Sequence, residues 1–257
     1  MDFDEDAARW IEAVYQTPDV TAQRNAVLDS LQLVPGETAL DIGVGPGLLA
    51  KDMAASVGKT GACYGIDVSA PMITMTQDRC ADMPWARFEV ADATDLPFDD
   101  GTIDAATSTQ VYEYVEDMPL ALKELFRVLK PGGRAAILDT DYDSLVLHTE
   151  HPDRMARVMT AWDDHFVHRS LPQVLSPLLR DAGFVIRQRD AIPMFNPEFH
   201  RNTFSYGIVK GIADFATGRN GISEEEANAW YAEQQALGAD GRYFFSINRF
   251  LFLVTKP

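Results

Sequence analysis

The chain has 257 residues, 46% hydrophobic and 24% charged, the composition of a globular protein with enough apolar surface to bury a core. Its 22 Lys+Arg against 39 Asp+Glu give a net charge of −17, and the basic residues are scattered, so its field repels phosphate backbones and excludes nucleic acid as the expected substrate. The acidic start Met1-Asp2-Phe3-Asp4-Glu5-Asp6 is the reverse of a secretory or transit leader, the apolar run Phe250–Val254 is far too short for a membrane span, and two cysteines fit a reducing cytoplasm.

Helical patterning runs over Ala7–Tyr15, breaks at Thr17-Pro18-Asp19 and resumes to about Leu31. Pro35-Gly36 is a turn, Thr38–Ile42 a strand ending in a glycine-rich turn, and Leu48–Val57 a helix. After the turn at Gly58–Gly61 comes strand Ala62–Asp67, then a helix to about Cys80 that Ser69 can cap and Pro71 can open. Strands follow at Ala86–Val90 and Ile103–Thr109. Helix Met118–Leu129 carries an apolar stripe and stops at Lys130-Pro131-Gly132-Gly133, and strand Arg134–Asp139 follows. Five strands by residue 140, separated by helices or long loops, predict a parallel α/β sheet. Beyond it the pattern predicts helices at Asp153–His168 and Leu171–Ala182, a C-cap at Gly183 and a strand over Phe184–Arg189. Two or three helices fall within Asn196–Asp240, one opened by Ser223-Glu224-Glu225-Glu226, and a last strand covers Tyr243–Thr255. No linker isolates a second domain. The expected organisation is one unit over 1–257: N-terminal lid helices in 1–35, a core in 36–140, and C-terminal strands in 141–257 with a helical cap at about 196–240.

The stretch Ala39-Leu40-Asp41-Ile42-Gly43-Val44-Gly45-Pro46-Gly47 runs a strand straight into closely spaced glycines, which let backbone approach a ligand at the carboxyl ends of the strands. Three later features reinforce it. Gly65-Ile66-Asp67 puts a carboxylate at the end of the next strand, where it can accept from two ribose hydroxyls. Ala91-Asp92-Ala93 follows the third strand, where an acid can meet an adenine amino group. Leu129–Gly133 precedes the fifth strand.

The runs LDIGVGPG, GIDVS, ADATDLPF and RVLKPGG together resemble the class I S-adenosylmethionine (SAM)-dependent methyltransferases, closest to the branch around the quinone-biosynthesis C-methyltransferases; they cover residues 39–133. The resemblance implies a Rossmann-like seven-stranded sheet of order 3-2-1-4-5-7-6, with the last strand antiparallel. It implies methyl transfer from SAM, leaving S-adenosylhomocysteine (SAH), to a small-molecule acceptor. By position it implies that Gly43, Gly45 and Gly47 shape the turn around the methionine part, with Asp41 ordering the turn and the amino group. Asp67 would bind the ribose, Val68 would lie against the adenine, Asp92 and Ala93 would hold its edge, and Thr109 would lie beside the methionyl group.

Rival readings are weaker. The dinucleotide fingerprint G-x-G-x-x-G/A fails, because its third position falls on Leu48, and Asp41 would repel a pyrophosphate. No Gly-Lys-Ser/Thr closes the turn, which excludes a phosphate-loop nucleotidase. Cys63 in a buried strand and Cys80 at a helix end are misplaced for thiol-bound arsenic, and no metal set is expected. An NAD(P)-dependent oxidoreductase and a non-catalytic SAM-binding regulatory module stay as alternatives, since fold and cofactor motif do not prove catalysis.

The acceptor is expected near the ends of the fourth and fifth strands, under the cap. Candidates are Tyr112, Glu113 and Tyr114, then Asp139, Asp141 and Tyr142, and from the cap side His165, His168, Arg169 and Tyr206. Asp141 and His165 are the candidate catalytic groups for deprotonation; Tyr112, Tyr142, His168 and Tyr206 are the candidate acceptor contacts. Trp10–Arg24 is a candidate lid, with Tyr15 for stacking and Arg24 for the methionyl carboxylate.

Overall fold

The computed structural model describes residues 12–257. The first part of the predicted N-terminal helix, with Trp10, lies outside the described residues; residues 12–15 are helical. Helix α1 (Pro18–Leu31) leads into β1 (Thr38–Ile42), α2 (Leu48–Val57), β2 (Ala62–Asp67), α3 (Ala70–Arg79), β3 (Ala86–Val90) and β4 (Ile103–Thr109). A 3-10 turn (Tyr112–Tyr114) precedes α4 (Met118–Val128), β5 (Leu129–Leu147), α5 (Pro152–Asp163) and α6 (Leu171–Asp181). The chain ends with β6 (Val185–Asn196), α7 (Phe204–Ala216), α8 (Glu224–Ala239) and β7 (Phe245–Thr255).

The seven strands form one sheet in the order β3-β2-β1-β4-β5-β7-β6, as the resemblance implied. Strands β1 to β5 are parallel, and β7 lies antiparallel between β5 and β6. Central strands are covered on both faces, so their residues are apolar on both. Ala106, Ala135, Ile137 and Phe252 meet α4 and α6 on one face. On the other, Ala105, Ala136, Leu138 and Leu251 meet Val27 and Leu31 of α1 and Met53 and Val57 of α2. A separate cluster built on Trp162, Ile212, Trp230 and Phe245 joins α5, α7, α8 and β7. No helix among the described residues is long and apolar enough to cross a membrane, and no three of their His, Cys, Asp or Glu side chains group as a metal site.

Caps fix the helices where the sequence places them. Ser69 Oγ accepts from the Met72 amide (3.5 Å), and Ser223 Oγ from the Glu226 amide (3.1 Å). Ser223→Ala is expected to lower unfolding free energy by about 1 kcal/mol, seen as a lower denaturant midpoint at unchanged slope. Gly183, at φ 98°, ends α6: its amide bonds Arg180 O, and the Phe184 amide bonds Leu179 O.

Several boundaries differ from the sequence reading: β5 already begins at Leu129 rather than Arg134, so residues 130–133 lie within the strand, and three further differences have tertiary reasons. Strand β5 does not stop at Asp139. It continues to Leu147 because β7 pairs with it, through a register shift between Asp141 and Val146. Helix α5 ends at Asp163 rather than His168, since the amides of Val167 and His168 turn away to donate to Glu113 O (3.1 and 2.9 Å). Strand β6 runs past Arg189 to Asn196 along β7; its charged, exposed residues and Pro193 suit a sheet edge that must stay unpaired on its outer side.

Candidate active site

The turn after β1 is held by its own backbone. The amides of Gly43 and Val44 both donate to Ile66 O (2.8 Å each), and Gly47 donates to Val44 O (3.1 Å). Gly43, Gly45 and Gly47 all have positive φ, at 70°, 53° and 77°. A Cβ on Gly43 would lie 2.1 Å from Val111 Cγ2, and one on Gly47 2.6 Å from Thr76, so both are glycines by space as well as by φ. A Cβ on Gly45 would meet no atom within 4 Å: the turn offers open space there. Thr76 Oγ1 donates to Gly45 O (2.7 Å), and Arg79 Nε donates to Pro46 O (2.6 Å). Arg79 also pairs with Glu12, which sets residues 12–15 beside the turn.

Asp67 stands at the tip of β2. Its Oδ2 accepts from the Gly45 amide and its Oδ1 from the Ser69 amide, both at 2.9 Å. A carboxylate has about four lone-pair sites, so acceptor capacity remains for two hydroxyls. Val68, next to it, is 62% exposed. Asp41 is buried at the end of β1. Burial, then the charge of Asp67, holds its carboxyl well above the usual carboxylate range, and burial also raises Asp67. Two acids strained toward neutrality beside an open glycine turn make a site where a cation lowers the free energy. Farther along, Asp92 Oδ1 accepts from the amide and hydroxyl of Thr94 (2.8 and 2.6 Å), while Ala93 is buried. Thr109 ends β4 half-buried, its Oγ1 3.4 Å from that of Thr107.

On the acceptor side the candidates separate by environment. Tyr112 is fully buried in the core of the sheet face covered by α4 and α6, and burial and Asp139 push its hydroxyl up. Asp141 accepts at both oxygens from Gln173 Nε2 (3.1 and 3.2 Å), which ties it to α6. His168 Nε2 lies 2.9 Å from Val115 O. His165 follows α5 rather than riding on it, and lies in an aromatic nest: stacked on Trp162 (4.2 Å) and edge-on to Tyr114, Phe166 and Phe215. Burial drops its pKa to about 4, so its imidazole is neutral at pH 7. Tyr142 joins the nest by stacking on Phe166 (4.0 Å). Tyr206 packs elsewhere in the cap, against Phe199 (4.9 Å). Two surface grooves, of about 630 Å³ beside Arg157 and Glu226 and about 570 Å³ beside Arg242 and Phe244, involve none of these residues.

Sequence reasoning missed Arg249. It is fully buried in the middle of β7, its Nη1 donating to Gln23 Oε1 of α1 and its guanidinium 4.4 Å from the Phe204 ring. The signal was an arginine on the register of Phe245, Ile247 and Leu251, which otherwise faces inward with apolar side chains. Gln110 was missed as well. Its φ of 57° ends β4 sharply and throws the chain into the 3-10 turn; its amide holds Leu138 O (2.7 Å). That turn brings Glu113 to Asp139: the Glu113 amide donates to Asp139 Oδ1 (3.3 Å), and Glu113 Oε2 accepts from the Thr140 amide (3.1 Å). Burial raises both carboxyls, Glu113 to about 7 against the pull of the Thr140 amide and Arg249. In α1, Arg24 is engaged by Asp52 (3.2 Å) and Tyr15 O (3.3 Å). Burial raises the Tyr15 hydroxyl, which also feels the charges of Arg249, Glu113 and Asp67.

Comparison with known proteins agrees with this geometry. A family model described as a methyltransferase domain matches residues 40–137. An uncharacterised 37.1 kDa protein from a Streptomyces fradiae transposon is 34% identical over 184 residues, 70% of this chain and 53% of its own length. A 2-phytyl-1,4-naphthoquinone methyltransferase of Nostoc punctiforme is 45% identical over 107 residues, 40% of this chain and 46% of its own length. The chain thus spans about half the length of the curated relatives it matches. Phosphoethanolamine N-methyltransferase 2 of Haemonchus contortus, solved with S-adenosyl-L-methionine, superposes with a TM-score of 0.65 at 18% identity, over 99% of this chain and 58% of that one. At that identity the likeness shows the fold. Neither the oxidoreductase nor the regulatory alternative gains support from these matches. Residues 40–137 thus match a methyltransferase domain and are similar to methyltransferases of quinone biosynthesis.

Proposed function

We propose that the chain transfers a methyl group from SAM to a small-molecule acceptor in the cytoplasm, where its two buried cysteines stay reduced. The observation that carries the reading is the open glycine turn flanked by two acids, buried Asp41 and half-buried Asp67, whose raised carboxyls favour a cationic ligand. SAM fits that donor set: it brings an ammonium and a sulfonium, and no phosphate for Asp41 to repel. Gly43, Gly45 and Gly47 would cradle its methionine part with Asp41 near the amino group. Asp67 would take the ribose hydroxyls, Val68 the adenine face, Asp92 and Ala93 its edge, and Thr109 would flank the methionyl chain.

Bound SAM supplies an activated methyl group on a sulfonium leaving group, displaced in line. What the protein contributes is alignment and exclusion of water. Tyr15 and Arg24 lie in the segment before and within α1, which acts as the lid over both ligands. The 36–140 core would hold the donor, and the 196–240 cap would close the acceptor side of 141–257. The aromatic nest of Tyr142, Trp162, His165 and Phe166 gives that side apolar walls. Tyr112, His168, Asp141 and Tyr206 are retained as acceptor-side groups. A chain of net charge −17 favours small acceptors over nucleic acid.

SAM labelled in its methyl group is the test. Label should pass to a low-molecular-weight fraction of a cell extract, with stoichiometric release of SAH. Label found only in nucleic acid, or SAM bound without turnover on any fraction, would overturn the reading.

A further inference from the structure

Arg249 and Glu113 form an unusual pair. Arg249 on β7 is in register with Thr140 on β5, and the Thr140 amide holds Glu113 Oε2 (3.1 Å), so the two charges sit one cross-strand step apart. Both side chains are fully buried. Yet Arg249 Nε and Nη2 and Glu113 Oε1 have no hydrogen-bond partner among the described residues. Burying opposite charges normally requires that they close on each other or satisfy their remaining donors and acceptors, since desolvation costs several kcal/mol per ion. Here they stay apart: unpartnered donors lie on Arg249, and unpartnered acceptors on Glu113 and the adjoining Asp139 (Oδ2), with the Tyr114 hydroxyl beside Glu113.

We propose that an acceptor hydroxyl on an aromatic ring occupies the space between them, donating to Glu113 Oε1 and accepting from Arg249. This rests on the methyl-transfer reading above and assigns two residues to it. A hydroxyl is the small group that donates and accepts at one atom. A carboxylate would be held by Arg249 but repelled by Glu113; an ammonium would suit Glu113 but be repelled by Arg249. The neighbours suit a ring: Tyr15 and Tyr142 are near enough to feel the charges of Arg249 and Glu113, and Tyr142 belongs to the stack with Phe166, Trp162 and His165.

Chemistry also favours a phenol over an aliphatic alcohol. A phenol ionises near pH 10, within reach of a carboxylate that burial has brought up to about 7, whereas an aliphatic alcohol is far too weak an acid. In the step assigned here the O–H bond breaks, the proton passes to Glu113 Oε1, and the electron pair stays on oxygen as a phenolate held by Arg249 Nε and Nη2. Net charge in the pocket is unchanged. The phenolate is the nucleophile. Glu113 is then a catalytic residue, in place of the Asp141 and His165 first considered: Asp141 is occupied by Gln173, and His165, with its pKa near 4, is a weak base at pH 7.

The experiment uses the whole protein saturated with SAH and compares binding of 4-cyanophenol with 4-cyanoanisole, which differs only in a capped hydroxyl. The wild type should prefer the phenol by at least tenfold. Its bound spectrum should shift toward that of the phenolate, at a pH where the free phenol is neutral. Arg249→Met and Glu113→Gln should each cut the preference to within twofold while SAH affinity is kept. Because either single change strands a buried charge, the double variant Glu113→Gln/Arg249→Met serves as a folding control: it should melt near the wild type and show no preference. Equal binding of phenol and anisole by the wild type, or of neither, would mean that the gap holds only an ordered water, and would overturn the proposal. Failure of SAH itself to bind would instead strike the donor reading, and this proposal with it.

Discussion

Asp67→Ala is expected to weaken SAM binding about 100-fold, or about 2.7 kcal/mol, by isothermal calorimetry. Two charge-assisted hydrogen bonds to ribose hydroxyls, each worth about 1.5–3 kcal/mol, are lost together. Asp67 also holds the Gly45 and Ser69 amides (2.9 Å each), so the variant loosens the cradle as well. Folding stability should suffer much less, because burial already disfavours the Asp67 charge in the absence of a ligand. Asp67→Asn keeps an acceptor oxygen for one amide without the charge and should fall between wild type and Ala. Affinity within twofold of wild type in Asp67→Ala would remove the ribose from that strand tip.

Gly43→Ala has the opposite signature: a large loss of stability. Its φ of 70° costs an alanine about 1–2 kcal/mol, and the new methyl would stand 2.1 Å from Val111, whose side chain must be displaced. About 3 kcal/mol in total would lower Tm by roughly 6–12 °C in a chain of this size. Gly45→Ala is the matched contrast. It carries the same positive-φ cost of about 1–2 kcal/mol, but its methyl would meet no protein atom within 4 Å, so Tm should fall less than in Gly43→Ala while SAM affinity drops, because the methyl enters the space assigned to the donor. Equal effects of the two substitutions on both melting and binding would contradict that assignment.

Strands β1 to β4 were legible in the sequence to the residue, since each is a short apolar run punctuated by Gly, Pro or Asp turns. The donor side was legible for the same reason: glycines at positive φ and an acid at a strand tip are local features. The ends of β5 and β6 were not. Thr140 and Asp141 lay beyond the expected end of the strand, and only the late pairing with β7 makes them part of it. Acceptor-side chemistry was hidden more deeply. Glu113 was legible as an acceptor-side candidate, but its contacts were not: the turn at Gln110 folds it against Asp139 and the Thr140 amide. Arg249 lies 136 positions beyond Glu113 in the sequence, and no spacing rule links them; the inserted antiparallel strand does. His165 read as a residue on a polar helix, and the amides pulled to Glu113 O place it among rings instead.

The central claim is that Asp41 and Asp67 make the turn a site for a cation-bearing nucleoside. In the free protein burial raises both carboxyls, Asp41 the more so, which disfavours their charged forms. A bound sulfonium favours the ionised acid and lowers its pKa, so binding releases protons and tightens as pH rises toward the raised pKa of the free site. SAH has no sulfonium and should show a weaker pH dependence. The decisive measurement is calorimetric titration of ligand-stripped protein with SAM and with SAH at several pH values. The account predicts saturable binding of both, with the SAM-to-SAH affinity ratio climbing as pH increases. No saturation by either ligand, or a ratio flat across the range, would contradict it.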